Sequence, residues 1–138
     1  MGARKRLTAE KNKAEKKEKA YAILRNCPSS PRKMRLVVDL VRGVEVNKAL
    51  AILRYSTQEA SRKVEKLVLS AMANWEAKNA GVRIEDSNVY VKEIFVDGGK
   101  MLKRIRTAPQ GRAHRIRKRS NHVTVVLGSL NANDTQAK

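Results

Sequence analysis

Between Gly98 and Asn121 the chain concentrates residue types able to do one kind of chemistry. From Lys100 to Arg119 it carries Lys100, Lys103, Arg104, Arg106, Arg112, Arg115, Arg117, Lys118 and Arg119, with no acid among them. Arginine outnumbers lysine by six to three in this run. A guanidinium binds phosphate through two parallel hydrogen bonds and stacks on exposed bases, so an arginine-rich run suits folded RNA better than solubility alone requires. Pro109 and Gly111 are turn-formers near its middle. The apolar residues Met101, Leu102, Ile105 and Ile116 are too few to offset the roughly 1–2 kcal/mol per residue of backbone entropy lost on ordering. Phosphates must contribute what a core cannot.

Residues for catalysis are sparse by comparison. His114 and His122 lie beside basic residues, Cys27 has no adjacent base, and Gly98-Gly99 lacks the pattern of a phosphate-cradling loop. Asp39, Glu45, Glu59 and Glu65 read as exposed helix charges that pair with local Lys and Arg. One cysteine and two histidines at unrelated spacings make neither an internal disulfide nor a zinc site, so no metal or other cofactor is expected. Cys27 reads as a small buried hydrophobe. Trp75 sits on an apolar helical stripe and reads as core. With aromatic residues at 4% there is no stacking platform of the single-strand-binding kind.

The whole chain carries the same signal. Its 138 residues suit one domain plus tails, and 31 Lys and Arg against 13 Asp and Glu leave a formal charge of +18. Such charge repels itself in a compact monomer but becomes affinity when a polyanion releases its counterions. Nucleic acid is therefore the expected partner. No apolar stretch is long enough to span a bilayer, so no membrane role is expected. Met1 to Lys19 is charged from its start and lacks the apolar middle of a secretory signal, which points to the cytoplasm.

The elements that must position the basic run follow from periodicity. Residues 1–19 are expected to form a mobile basic extension, disordered without RNA or partly helical, that orders only against a partner. Tyr21 to Cys27 suits a short strand ended by Pro28. Ser30-Pro31 predicts a helix start, with Met34, Val37, Val38 and Val41 on the apolar side, Arg32, Lys33, Arg35 and Arg42 elsewhere, and Gly43 as a left-handed stop. A second helix is predicted from near Asn47, with Ala49, Leu50, Ile52 and Leu53 inward, to Tyr55-Ser56.

A third helix, capped at Thr57 and ending at Gly81, carries Ala60, Val64, Leu67, Val68, Ala71, Met72 and Trp75. The small residues Ser70, Ala71 and Ala73 would let a neighbour approach, so this helix is expected to be central. Asn88–Val96 and His122–Leu127 read as strands. The apolar phase shifts between Val91 and Ile94, which either marks a bulge or leaves both faces of the strand partly buried. If these strands pair antiparallel, 98–121 must run out and return as a ribbon with a Pro-Gln-Gly tip.

With these segments in place the chain resembles the family of the twenty-second protein of the bacterial large ribosomal subunit. The resemblance rests on Ser30-Pro31-Arg32-Lys33-Met34-Arg35-Leu36-Val37-Val38-Asp39-Leu40-Val41-Arg42-Gly43 and Ala49-Leu50-Ala51-Ile52-Leu53. It continues through Ile94-Phe95-Val96-Asp97, Lys103-Arg104, Gly111-Arg112-Ala113 and His122-Val123-Thr124-Val125-Val126. These run in family order from about Ala20 to Leu127, leaving residues 1–19 outside the match.

The resemblance implies an α+β fold: three helices on a small antiparallel sheet, with a long basic β-hairpin extension. The expected organisation is one domain over 20–130 that includes the hairpin 98–121, and a tail from Asn131 to Lys138. The implied role is a structural constituent of the large subunit that binds ribosomal RNA and supports assembly. Neighbouring ribosomal proteins are implied partners, and no homo-oligomer is expected. The resemblance also places Lys103-Arg104-Ile105-Arg106-Thr107-Ala108-Pro109-Gln110-Gly111-Arg112 near the exit tunnel and the nascent polypeptide. Arg32, Lys33, Arg35 and Arg42 are expected to dock on phosphates first, with the hairpin ordering as RNA folds around it. The rival from the residues alone is a DNA architectural protein, since a basic ribbon also fits a DNA groove, although no dimerisation heptads are present.

Overall fold

A computed structural model describes residues 3–79 and 87–130. The predicted helix end at Gly81 and the tail from Asn131 lie outside them. The order is α1 (Ala3–Glu18), β1 (Ala20–Cys27), α2 (Pro31–Val41), α3 (Val46–Tyr55), α4 (Glu59–Lys78), β2 (Val89–Thr107) and β3 (Ala113–Ser129). This is an α+β fold: β3 is the central strand of an antiparallel sheet ordered β1-β3-β2, and α2, α3 and α4 supply the helical layer.

The apolar phases close the core as their periods require. Met34, Val37, Val38 and Val41 of α2 meet Val64, Val68 and Ala71 of α4 and the inward row Val91, Val123 and Val125 of the sheet, all fully buried. On β1 the inward residues Ala20 and Ala22 are small, which lets α4 pack close against that strand. Among the small residues of α4, Ala71 is buried and Ser70 and Ala73 face outward. Ile52, expected inside, is 39% exposed, because α3 touches the core through Val46, Ala49 and Leu53 on an adjacent stripe. The α4 cap position is Gln58, one residue beyond Thr57.

Three register shifts shape the sheet. Val91 pairs with Leu127 and Glu93 with Val126, so Lys92 is an extra residue, and the phase change before Ile94 is a bulge. A second shift lies between Gly98 and Met101, and a third on β1 between Leu24 and Cys27, where Asn26 adopts a positive φ of 54°. At the second, a Cβ on Gly99 would sit 2.5 Å from Ser120 Oγ and 3.2 Å from the Ser120 backbone carbon. The Ser120 hydroxyl in turn donates to Lys100 O. Gly99→Ala should therefore lower stability by about 1–3 kcal/mol, read as a lower urea midpoint.

The β2 edge within the body is closed by its neighbours, and the β1 edge is met at its start. Along β2, Gly43 N–H donates to Val91 O, Val91 N–H donates to Val44 O, Arg42 donates to Ile94 O and Arg35 to Val96 O. At the start of β1, Asn74 Nδ2 donates to Tyr21 O, and just before it Lys78 Nζ donates to Lys19 O. On β2 the blocked backbone groups remove the template for adding a foreign strand within the body.

From Ala3 to Glu18 the N-terminal segment is one continuous helix, more than the partial helix expected from the sequence, yet it buries no residue; Ala, Lys, Glu and Arg are intrinsically strong helix formers. Its tie to the body includes hydrogen bonds from Lys78 Nζ to Lys17 O and Lys19 O. No helix among the described residues is long and apolar enough to cross a membrane.

Candidate nucleic-acid interface

Strands β2 and β3 continue beyond the body as one ribbon, longer than the strands read from composition. Seven residue pairs run from Met101 opposite Arg119 to Thr107 opposite Ala113. At about 3.4 Å per residue the six steps from Met101 to Thr107 span about 20 Å. The ribbon closes at Ala108–Arg112, where Ala108 N–H donates to Arg112 O at 2.9 Å. Gln110 and Gly111 both have positive φ, 62° and 70°, which explains glycine at the second position.

Paired residues in antiparallel strands point to the same side, so the register sorts the charges. One face carries Lys103, Arg115, Arg117 and Arg119 with Met101 and Ile105 between them. The opposite face carries Arg104, Arg106 and Lys118 with His114, Leu102 and Ile116. No residue from Lys100 to Ser120 is buried, and Ile105 is 75% exposed. A ribbon that lay on a protein or RNA surface would need cations on one side only; this one presents them on both.

Asn121 anchors the root of the ribbon. It is fully buried, and its Nδ2 donates to Ser29 O at 2.7 Å, joining β3 to the loop before α2. Beside it His122 Nδ1 accepts the Asn26 N–H at 3.0 Å, so this imidazole has a structural partner. Neither residue was singled out for such a role in the sequence, because their partners are 92 and 96 positions away.

The four α2 cations divide into two kinds. Arg32 and Lys33 are exposed, with no hydrogen bond or ion pair among the described residues. Arg35 and Arg42 already donate to β2 carbonyls, and Arg42 also pairs with Asp39 at 2.7 Å. Both are exposed residues, so they retain access to solvent while fastening α2 to the sheet edge. Arg42→Ala should cost about 1–2 kcal/mol in urea unfolding, whereas Arg32→Ala should change it by less than about 0.5 kcal/mol.

The acids behave as helix charges. Glu45 pairs with Lys48, Glu59 with Lys63, and Glu65 with Arg54. The hydrogen bond from Lys63 holds the Glu59 carboxyl below its ordinary range, and the same bond holds the Lys63 ammonium above its own. Cys27 is buried, as is Trp75 on α4. Among the described residues no cluster of His, Cys, Asp and Glu could hold a metal ion. Composition alone also left out Arg25 and Lys66, which line a shallow groove between β1 and α4. A signal existed in Arg62 and Lys66, spaced one helical turn apart.

Residues 22–128 match the family described as Ribosomal protein L22p/L17e. The chain belongs to that family. Large ribosomal subunit protein uL22 of Flavobacterium psychrophilum is 65% identical over 137 residues, covering 99% of this chain and 98% of its own. The uL22 protein of Flavobacterium johnsoniae is 66% identical over 131 residues, covering 95% and 96%. That of Bacteroides fragilis is 57% identical over 136 residues, covering 99% of each. L22p/L17e proteins are structural and non-enzymatic, and this chain is such a constituent of the ribosome. The match to the F. psychrophilum and B. fragilis relatives takes in the N-terminal segment, which the family model leaves out.

Proposed function

We propose that the chain binds large-subunit ribosomal RNA through the 98–121 ribbon, supports assembly of the subunit, and places residues 103–112 beside the exit tunnel and its nascent polypeptide. The observation that carries this reading is the distribution of charge on the ribbon. Cations on both faces, with no buried residue between Lys100 and Ser120, suit a ribbon enclosed by phosphates rather than one laid on a single surface. The body contributes a second contact through Arg32 and Lys33, with Arg35 and Arg42 sharing phosphate binding with their carbonyl bonds. In a bacterial cell the setting is the cytoplasmic ribosome, with RNA and neighbouring ribosomal proteins as partners.

The order of events follows from the energetics. The body has its own core and can dock in its final form, whereas the ribbon gains most of its ordering free energy from RNA. Amides from Lys100 to Arg119 should exchange rapidly in the free protein and become strongly protected in the assembled subunit. Strong protection throughout that segment without RNA would overturn the order of docking. For the tip, a photoreactive side chain at Gln110 should crosslink a stalled nascent chain. Crosslinks to RNA alone would remove the tunnel assignment and leave RNA binding standing.

A further inference from the structure

Among the described residues one face of the sheet has no helix over it. The inward face is covered by α2, α3 and α4, whereas the outward face carries two cross-strand rows: Tyr21, Val126 and Glu93, then Ile23, Thr124 and Phe95. Tyr21, Ile23 and Phe95 are each 41–44% exposed. Asp97 follows on β2, opposite His122. In a chain of net charge +18 this is an anomalous surface. Glu93 and Asp97 are exposed and form no ion pair among the described residues, unlike Asp39, Glu45, Glu59 and Glu65.

The charges around the face have to be weighed together. Lys92 and Tyr90 lie over Gly128 at one end, and Arg25 stands on β1 near the other. Lys78 sits 5.7 Å from the centroid of the Tyr21 ring. Glu15 and Glu18 of α1 join Glu93 around a depression beside Val126, whose lining also includes Lys19 and Lys92. The result is an apolar centre with a rim of mixed charge, the pattern of a protein interface, in which Glu93 and Asp97 are the acids on the sheet face itself and have no ion-pair partner among the described residues. Phosphate would meet the unpaired Glu93 and Asp97 carboxylates at contact range, where juxtaposed like charges cost several kcal/mol. A second copy would bring its own excess positive charge.

We infer that this outward sheet face docks a basic segment of another protein of the subunit, with apolar side chains on Phe95, Ile23 and Val126 and Lys or Arg on Glu93 and Asp97. The inference rests on the chain's place in the ribosome and not on the ribbon reading. The test is p-benzoylphenylalanine at Phe95, or at Ile23 should the first protein not enter the particle, in large subunits isolated by sedimentation and then irradiated. The expected product resists ribonuclease, and its crosslinked peptide maps by mass spectrometry to a Lys- and Arg-bearing segment of a different protein. Adding Glu93→Lys and Asp97→Lys should lower its yield on the order of tenfold, from charge repulsion at the rim. A crosslink to RNA, to a second copy or to an acidic peptide overturns the inference, as does no crosslink or an unchanged yield in the charge-reversed protein.

Discussion

Replacing Arg104, Arg106, Arg115 and Arg117 together by Gln should weaken binding to large-subunit RNA on the order of a thousandfold, while the protein unfolds at nearly its original temperature. The four residues take two cations from each face of the ribbon. Taking about 1 kcal/mol for each lost contact, below the usual range for hydrogen bonds to charged groups, the sum is about 4 kcal/mol. If each cation sits on one phosphate, the slope of log affinity against log salt should fall in magnitude by about 3–4. None of the four belongs to the core, and removing four positive charges relieves self-repulsion, so the melting temperature should stay level or rise slightly. Filter binding at several salt concentrations, with calorimetry on the same samples, reads both quantities. A large drop in melting temperature with an unchanged salt slope would show that the ribbon packs on the body instead.

Trp75→Ala should do the reverse. The side chain is 5% exposed on the α4 stripe that faces the sheet, and its carbonyl accepts both the Asn79 N–H and the Asn79 side-chain amide at the end of the helix. Truncating a buried Trp costs about 3–5 kcal/mol through lost burial and the cavity left behind. That is a large part of the 5–15 kcal/mol typical of a folded domain. Urea unfolding should show the loss, with RNA affinity within about threefold of the parent when measured on the folded fraction. A loss of affinity with unchanged stability would mean that the indole stacks on a base, contrary to its burial.

The two substitutions separate what the fold itself separates. Apolar period and burial gather in the body, and charge gathers on a ribbon with no buried residue. In the proposed function the ribbon, which has no core of its own, draws its order from a polyanion, the partner that suits nine cations without an acid.

Much of this was determined by the sequence by itself. The stripes Met34-Val37-Val38-Val41 and Val64-Leu67-Val68-Ala71 repeat at the helical period, and burial of an amphipathic stripe needs no knowledge of which element covers it. Pro28, Ser30-Pro31 and Gly43 act through local backbone chemistry and mark the boundaries around α2. The basic run and the turn at Pro109 and Gly111 are local as well, so the candidate interface was legible before its geometry.

Tertiary structure decided what depends on distant pairing. A periodic pattern shows that Arg35 and Arg42 lie off the apolar stripe, but their bonds to Val96 O and Ile94 O exist only once β2 is laid beside α2. The phase change before Ile94 became a bulge only when Val91 and Glu93 were registered against successive residues of β3. Ile52 fits the apolar period, yet α3 meets its neighbours one stripe away, because the docking angle of a short helix is set by the surface it packs on. The pleat sends neighbouring cations of each strand to opposite faces, but only the antiparallel register decides which cations of β2 and β3 share a face. The apolar outward face of the sheet, with Glu93 and Asp97 beside Phe95, arises the same way, from residues of β1, β2 and β3 that only strand order brings together.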